Sequence, residues 1–351
     1  HDRMACKNHL SFSDRIAERN AMKKEDPRSI AQKLQMIPAG TLFVERTGST
    51  KYAGALFTEQ FRGITNGKGC MEVYDVFPGI EASFNTFLAT EIQFQHDAMD
   101  AVLEIYYCRS GRVGWNMRGG TAIYLGSGDI TAHSMACCAD SAMMFPLGYS
   151  EGLSISVDLR QLPTVCPELL QEAAVGAEKL QEHFCSGKPS AIPANPELEH
   201  IFAPLLSAAP SLRLPMLKLK ALELLIYLNG LQPGGKELTQ YFSQQTELIK
   251  EIHQHLTGHL DQRFTIEELS RQYLINTSTL KEVFKAVYGL PIATYMKEYR
   301  IKQSMKLLRE TTASIADIAS QVGYESQGKF TRAFKDMEQI LPTEYRKIYH
   351  R

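Results

Sequence analysis

Two groups of polar and basic residues near the end of the chain have the chemistry to contact nucleic acid. Hydroxyl and amide side chains hydrogen-bond base edges, and lysine and arginine bind backbone phosphates. The first group is Ser278, Thr279, Lys281, Glu282 and Lys285. The second group is Ser326, Gln327, Lys329, Thr331, Arg332 and Lys335. We interpret each group as the free face of one DNA-reading helix, with Glu282 either accepting from a cytosine amino group or facing solvent.

The helices that present these groups belong to two units with the same local signals. Each unit has a capped short helix, a tight turn and a second helix with a buried apolar stripe. In the first unit, at about 265–287, the signals are Thr265, Leu274-Ile275-Asn276, Leu280, Val283, Phe284 and Val287. In the second unit, at about 314–337, they are Ser314, Gly323, Ser326, Phe330 and Phe334. The repetition predicts two helix-turn-helix motifs.

A predicted spacer helix separates the two units. Residues 292–309 are rich in helix formers, and a helix of this length is roughly 27 Å long. Such a spacer can place two recognition helices in major-groove segments about 34 Å apart, which is one turn of DNA. One chain is therefore expected to read two adjacent half-sites.

The segment from about 248 to 349 resembles the DNA-binding domain of the AraC/XylS family of regulators. The residues that carry the resemblance are Ile266-Glu267-Glu268-Leu269, Leu280, Phe284, Gly289, Arg300, Leu307-Leu308, Ile315-Ala316-Asp317-Ile318-Ala319, Val322-Gly323-Tyr324, Phe330, Phe334-Lys335 and Pro342-Thr343-Glu344-Tyr345-Arg346. The resemblance implies double-stranded DNA as a partner and, for an activator, RNA polymerase as another.

Two departures from the family pattern bear on the recognition helices. Where the family commonly has a Phe-Gly pair, this chain has Glu338-Gln339, so we expect the last recognition helix to lack its glycine cap and to end more loosely. Lys281-Glu282 in the first recognition helix is similar to the siderophore-responsive branch, which includes the pyochelin regulators. That likeness implies a siderophore as effector, and a small aromatic compound is the other candidate.

Residues 41–165 have a different texture, with short β-prone runs broken by glycine-containing turns every eight or nine residues. This spacing is typical of an antiparallel sandwich or barrel. The run from Glu104 to Ile130 is similar to a small cupin-like barrel. We therefore predict an α+β protein with an N-terminal cupin-like β-barrel and an all-α DNA-binding domain at residues 248–351.

The predicted barrel offers an effector pocket, although each residue in it has a plainer interpretation. Val113, Trp115 and Met117 alternate along one strand and should share a face, where Trp115 either contacts a ligand or packs in the core. With them we assign Tyr107 and Tyr124 to the pocket.

A metal or redox site is the other interpretation of this domain. His96, Glu104 and His133 could converge near Cys137 and Cys138, to bind a metal or to sense oxidants. Because the chain lacks the His-x-His pair of metal-dependent cupins, we expect no metal, no cofactor and no enzymatic activity.

Helical patterning returns at residues 166–231, where Leu214, Leu217, Ala221, Leu224, Leu225 and Leu228 recur at intervals of three and four. So broad an apolar face must be buried on the β-domain, on another helix or on a second subunit. We predict a homodimer joined through this segment. Residues 232–247, which include Gly234-Gly235, are predicted to be a linker.

Composition and charge set limits on the compartment and the partners. From Leu248 onward the chain has 16 Lys and Arg against 12 Asp and Glu, and the remainder has 22 against 27. The C-terminal part is therefore where an anionic partner would be attracted, although the excess is small. Seven cysteines without a Cys-x-x-Cys pair indicate reduced thiols. We expect a cytoplasmic protein with no membrane span, an N-terminal extension at 1–40, and a tag remnant at 1–3.

Together these patterns predict a sequence-specific DNA-binding transcription regulator, expected to be an activator, that is controlled by an effector bound in its N-terminal domain. Two alternatives stay open. One is a cupin-type metalloprotein or metalloenzyme with a DNA-binding tail. The other is an architectural DNA-binding or partner-binding protein without an effector.

Overall fold

A computed structural model describes residues 34–47, 62–117, 119–139, 141–165, 167–232 and 236–350. Within these ranges the chain forms two units, which divide between Ser243 and Gln244. Most of the predicted extension at 1–40, the tag remnant at 1–3 and the Gly234-Gly235 pair lie outside the described residues.

Runs rich in β-branched and aromatic residues form the strands of the N-terminal unit. The strands are β1 (Thr41–Thr47), β2 (Arg62–Thr65), β3 (Lys68–Phe77), β4 (Ile80–Leu88), β5 (Glu91–Gln95), β6 (Val102–Gly111), β7 (Val113–Met117), β8 (Thr121–Leu125), β9 (Ile130–Ser134), β10 (Ala142–Met144), β11 (Ser150–Asp158), β12 (Ser190–Ile192) and β13 (Tyr241–Phe242).

In the described part of this unit the strands form two sheets. The large sheet has the order β1-β3-β4-β11-β6-β9-β12, and the small sheet has the order β13-β8-β7-β10-β5-β2. Because each sheet ends in two edge strands, the described residues form no closed barrel, contrary to our expectation. The spacing of turns is shared by sandwiches and barrels, and closure depends on long-range pairing that local spacing does not specify. The cupin-like assignment stays a prediction.

Helices cover the outer face of the large sheet. They are α1 (Leu162–Val165), α2 (Glu168–Glu172), α3 (Ala177–Leu180), α4 (Pro196–Leu206) and α5 (Arg213–Gly230). Since this sheet is covered on both faces, strand β6 is almost continuously buried. One core lies between the sheet and these helices, and a second core lies between the two sheets.

The apolar face of α5 belongs to the core beneath the helices. Leu217, Leu224 and Leu228 are fully buried within this unit, so this face does not call for a second subunit. Leu219, 60% exposed, and Leu212, 55% exposed, lie outside that core. A homodimer stays a prediction, and its interface would have to use outward residues such as these two. Sedimentation at several protein concentrations tests it.

The segments on either side of α5 are less uniform than predicted. Strand β12 lies inside the predicted helical segment 166–231 and pairs with β9. The end of the predicted linker also pairs with the N-terminal unit, since β13 lies beside β8 and the Leu238 N–H donates to the carbonyl of Ala191 at 2.7 Å. The polar composition of this segment suggested a linker because strands of two or three residues carry little periodicity.

The C-terminal unit is helical. Its helices are α6 (Ser243–Gly258), α7 (Ile266–Gln272), α8 (Thr277–Tyr288), α9 (Ile292–Glu310), α10 (Ile315–Gln321), α11 (Gln327–Glu338) and α12 (Pro342–Tyr349). The helix α6 begins five residues before the predicted domain boundary at 248. None of the described helices is long and apolar enough to cross a membrane.

Candidate nucleic-acid interface and the cavity between the sheets

Local hydrogen bonds build the first helix-turn-helix unit. Thr265 Oγ1 accepts a hydrogen bond from the N–H of Glu268 at 3.1 Å, and the Glu268 carboxylate accepts one from the N–H of Thr265 at 2.7 Å. This capping box begins α7. Asn276 caps α8 by accepting from the N–H of Thr279 at 2.7 Å, and Gly289, with φ 85°, ends that helix. The predicted caps of this unit are confirmed.

The second unit repeats the arrangement. Ser314 Oγ accepts from the N–H of Asp317 at 3.0 Å and begins α10. Gly323, with φ 79°, makes the turn. Ser326 Oγ accepts from the N–H of Lys329 at 3.3 Å and begins α11. The two recognition helices therefore start from equivalent side-chain caps.

The end of α11 differs from our expectation. Gln339 adopts the left-handed conformation, with φ 62°, and its N–H donates to the carbonyl of Lys335 at 2.9 Å. The helix is thus closed in the usual geometry without a glycine, and it is not looser. A non-glycine residue in this conformation costs about 1–2 kcal/mol.

Replacing Gln339 by glycine is therefore expected to raise the free energy of unfolding by about 0.5–1 kcal/mol. The gain is smaller than the strain because glycine also gives the unfolded chain more freedom. Urea denaturation followed by far-ultraviolet circular dichroism measures it. Leu274 provides a second test of the same effect, since it has φ 52° and is 94% exposed. Leu274→Gly should give a similar gain in the free energy of unfolding. Destabilisation by both substitutions would show that left-handed strain is not the controlling effect.

The predicted DNA-contacting residues lie on the outer faces of α8 and α11. Their inner faces are buried through residues such as Leu280, Phe284, Phe330 and Phe334. The exposed residues are Ser278, Lys281, Glu282, Lys285, Ser326, Gln327, Lys329, Arg332 and Lys335, and the half-buried ones are Thr279 and Thr331. The structure brings them together as two groups, one on each recognition helix.

One member of the second group is already engaged. Lys329 forms a hydrogen-bonded ion pair with Glu325, one turn earlier. This contact with Lys329 lowers the pKa of the Glu325 carboxyl. Both side chains are largely exposed, so the pair contributes little to stability. We expect Lys329 to contribute less to phosphate binding than Arg332 and Lys335.

The spacer helix α9 joins the cores of both units. Its 19 residues correspond to roughly 28 Å. Near its start, Tyr295 packs edge-on against Phe284 of α8, with ring centroids 5.5 Å apart. From its middle to its end, Ile301 and Leu308 are buried with Phe330 in the core of the second unit. The spacer is thus part of both packed cores.

A second connection between the two helix-turn-helix units was not predicted. A Cβ atom on Gly323 would lie 2.0 Å from the carbonyl oxygen of Leu260, so the turn of the second unit lies directly against the loop before the first. In the same place Arg300 Nη2 donates to the carbonyl of Gln262 at 2.7 Å. Together with α9, these contacts hold the two helix-turn-helix units in one arrangement.

This connection also brings an unpredicted cation to the interface. Arg263 is exposed. Burial lowers the pKa of Arg300, and the positive charge of Arg263 lowers it further. The pKa of Glu325 is lowered mainly by Lys329 and, to a smaller extent, by Arg263. Arg263 therefore lies near the amino-terminal end of α11. The sequence carries no signal for this, since the proximity depends on the contact between Gly323 and Leu260.

In the N-terminal unit, part of the predicted effector pocket is found between the sheets. Val113, Trp115 and Met117 share the inner face of β7, as their alternation predicted. Trp115 lines a cavity of ≈ 50 Å³, together with residues such as Phe87 and Met143. The same side chain is also buried in the core, so both interpretations of Trp115 describe part of its environment.

The two predicted tyrosines lie elsewhere. Tyr107 is on the outer face of the large sheet, where its ring stacks on Phe202 of α4 with centroids 4.0 Å apart. Tyr124 is buried and lies over Gly114 of the neighbouring strand, at a position that alternates with the inward Ile123. Neither is among the residues that line the cavity. Alternation within β6 and β8 alone does not exclude them, because the face that each strand shares with Trp115 depends on how the strands pair.

The residues considered for a metal site do converge. His96, Glu104, His133 and Cys138 line the same cavity as Trp115. Cys137 is half-buried and is not among the lining residues. In the described part of the chain, no group of three or more His, Cys, Asp and Glu side chains is arranged to hold a metal ion. None of the five described cysteines forms a disulfide.

Comparison with protein families locates one similarity within the C-terminal unit. Residues 269–348 match the helix-turn-helix domain family. The transcriptional regulator Rob of Salmonella typhimurium is 35% identical over 103 residues, which is 29% of this chain and 36% of Rob. The transcriptional activator RhaR of Mannheimia succiniciproducens is 32% identical over 91 residues, which is 26% of this chain and 33% of RhaR. The chain thus spans about a third of the length of these relatives.

A solved structure is also similar to part of the chain. The C-terminal domain of AraT, a response regulator from Geobacillus stearothermophilus, is 25% identical and aligns with 30% of this chain and 87% of its own length, with a TM-score of 0.29. The family match at residues 269–348 begins within α7 and ends within α12, so it includes both turns and both exposed polar faces described above. The C-terminal unit therefore contains a helix-turn-helix domain, and the chain is similar over about 100 residues to known transcription regulators.

Proposed function

We propose that this protein is a sequence-specific transcription regulator that binds two adjacent half-sites through α8 and α11 and acts as an activator. The observation that carries the proposal is the pair of exposed polar faces on one domain whose two units are joined by α9 and by the Gly323 contact. A recognition helix in each of two successive major-groove segments, about 34 Å apart, would read a bipartite site.

Control by a small molecule is the second part of the proposal. The cavity between the sheets is partly open, its surface is mostly apolar, and several polar side chains also line it, which is the usual character of a ligand site. Its volume of ≈ 50 Å³ is well below the roughly 300 Å³ at which sites for drug-sized ligands begin. This size favours a compact effector over the siderophore or aromatic compound suggested by the sequence.

DNA footprinting with the full-length protein tests the DNA-binding part. Selected binding sites should show two protected major-groove segments about one turn of DNA apart. The double variant Arg332→Ala with Lys335→Ala should lose protection of one segment, and a variant of the exposed Lys347, which lies outside both groups, should protect both. Protection of a single segment by the unmodified protein would contradict the two-site arrangement.

Arg263 supplies a further prediction. Because it lies near the start of α11 and outside both recognition faces, it should contact phosphate and not bases. Arg263→Ala is expected to weaken binding to all sequences by a similar factor and to reduce the slope of log K against log salt by about one. Fluorescence anisotropy at several salt concentrations measures both. A changed sequence preference with an unchanged salt slope would assign Arg263 to base reading instead.

A further inference from the structure

Two hydrogen-bond acceptors lie side by side in the cavity between the sheets. Strands β6 and β9 pair Glu104 directly with His133, and both side chains point to the inner face, where they line the cavity. Residues paired in this way have Cβ atoms about 4.5–5.5 Å apart. His133 is 1% exposed, whereas Glu104 keeps partial exposure.

The hydrogen bonds of His133 determine which ring nitrogen faces the cavity as an acceptor. The hydroxyl of Thr131 donates its hydrogen to the carbonyl of Ser190 at 3.0 Å. Thr131 Oγ1, 3.3 Å from His133 Nδ1, can therefore only accept from that nitrogen. Burial, with a contribution from His96, lowers the pKa of His133 to about 4, so the ring is neutral and Nε2 carries a lone pair. No described residue hydrogen-bonds to Nε2.

The carboxylate of Glu104 is held from the opposite side. Ser156 Oγ donates to it, and Ser154 contributes a second hydrogen bond. Ser154 in turn accepts from Asn85 Nδ2 at 3.0 Å. Burial raises the pKa of Glu104 to about 7, so the group is a carboxylate above that pH. The carboxylate then lies beside His133 with further lone pairs for the cavity, since a carboxylate accepts about four hydrogen bonds. The polar end of the cavity thus presents adjacent acceptors from Glu104 and His133.

The rest of the cavity limits the size and character of an occupant. Trp115, Phe87 and Met143 form apolar walls. Since one water-sized molecule needs roughly 10–15 Å³ of such space, a cavity of ≈ 50 Å³ holds only about four non-hydrogen atoms. An aromatic wall also attracts a cation placed over its face.

We propose that this cavity binds a compact organic cation with at least two N–H donors, of which an amidinium is the simplest, with one N–H donated to Glu104 and one to His133 Nε2. The inference rests on the proposed function, because it names the class of effector. A cation that brings its own donors fits better than a metal ion, for which the described side chains offer no group of three ligands.

Acetamidine, acetamide and acetate form a matched set of probes with the same shape and different charge and donors. Trp115 is the single tryptophan of the chain and lies in the cavity wall, so its fluorescence reports occupancy of this site. Titration of the full-length protein should give saturable binding of acetamidine with a Kd on the order of 0.1–1 mM, as expected of a four-atom ligand. Acetamide and acetate should bind at least tenfold more weakly.

Two variants locate the site, and a third is the control. Glu104→Gln and His133→Leu should each weaken acetamidine binding at least tenfold. Glu182→Gln, on the exposed surface of the same unit, should bind as the unmodified protein does. Circular dichroism establishes that each variant is folded. If a variant does not fold, the other variant and the comparison of the three probes still decide the outcome.

The contrary results are distinct from those that test DNA binding. No fluorescence change with acetamidine up to 10 mM (roughly ten times the weakest Kd expected), equal affinity for acetate, or unchanged affinity in both variants would overturn the ligand assignment. Binding of Zn²⁺ at this site in place of acetamidine would overturn it as well. If footprinting still shows two protected segments in these cases, the regulator proposal stands and only the effector class is wrong.

Discussion

Gly323→Ala is expected to destabilise the DNA-binding domain by about 3 kcal/mol or more and to weaken binding to a bipartite site at least about a hundredfold. The new Cβ would lie 2.0 Å from the backbone carbonyl of Leu260, and the residue also has φ 79°. Because the obstructing atom belongs to the backbone, no rotamer change relieves the clash. The two units would separate at this contact, and the advantage of binding both half-sites at once would be reduced.

Gly328→Ala is the matched control in the same unit. Gly328 lies in α11, and a Cβ built there meets nothing within 4 Å. Alanine should stabilise this helix, by up to about 1 kcal/mol. Urea denaturation gives the stability of both variants. Fluorescence anisotropy with single and paired half-sites shows how much affinity Gly323→Ala still gains from binding both half-sites at once. If Gly323→Ala unfolds at the urea concentration of the unmodified protein, the close approach to Leu260 does not hold the units together.

The contrast between these two glycines shows what the sequence could predict. The caps at Thr265, Asn276, Ser314 and Ser326 depend on hydrogen bonds to residues three positions away, so local spacing was sufficient to find them. A left-handed turn at Gly323 was predictable for the same reason. The contact of that turn with Leu260 joins segments about sixty residues apart in the sequence, and no local pattern encodes it.

In the N-terminal unit, too, local features were predictable from the sequence and long-range contacts were not. Alternation along β7 correctly placed Val113, Trp115 and Met117 on one face, because strand periodicity is a local property. The convergence of Glu104 with His133 was given as an alternative interpretation, for a metal or redox site. Their register, and the lone pair on His133 Nε2, depend on how β6, β9 and β12 pair. The prediction of a closed barrel was wrong for the same reason, since closure requires pairing between strands that are far apart in the sequence.

The stability of the DNA-binding domain is expected to fall by about 3 kcal/mol as the pH is lowered from 6.5 to 4. Burial lowers the pKa of His253 from 6.5 to about 4. Its ring stacks on Tyr288, with centroids 4.2 Å apart, and lies 2.8 Å from the hydroxyl of Tyr295. The unfolded chain therefore binds a proton that the folded domain does not. The contribution of His253 is fully present above pH 6.5 and is lost progressively toward pH 4.

His253→Phe should flatten this pH dependence, because phenylalanine fills the aromatic cluster and does not titrate. His259→Gln, which removes an exposed imidazole of the same domain, should leave it unchanged. Circular dichroism in urea at several pH values follows the helical domain, and Trp115 fluorescence follows the N-terminal unit separately. In the N-terminal unit, burial raises the pKa of Glu104 to about 7, so its protonation on acidification stabilises the fold. The pKa of His133 is lowered to about 4, so acidification destabilises the fold through this residue, and the two effects partly cancel. An equal pH dependence in His253→Phe and the unmodified protein would show that another group makes the DNA-binding domain sensitive to acid.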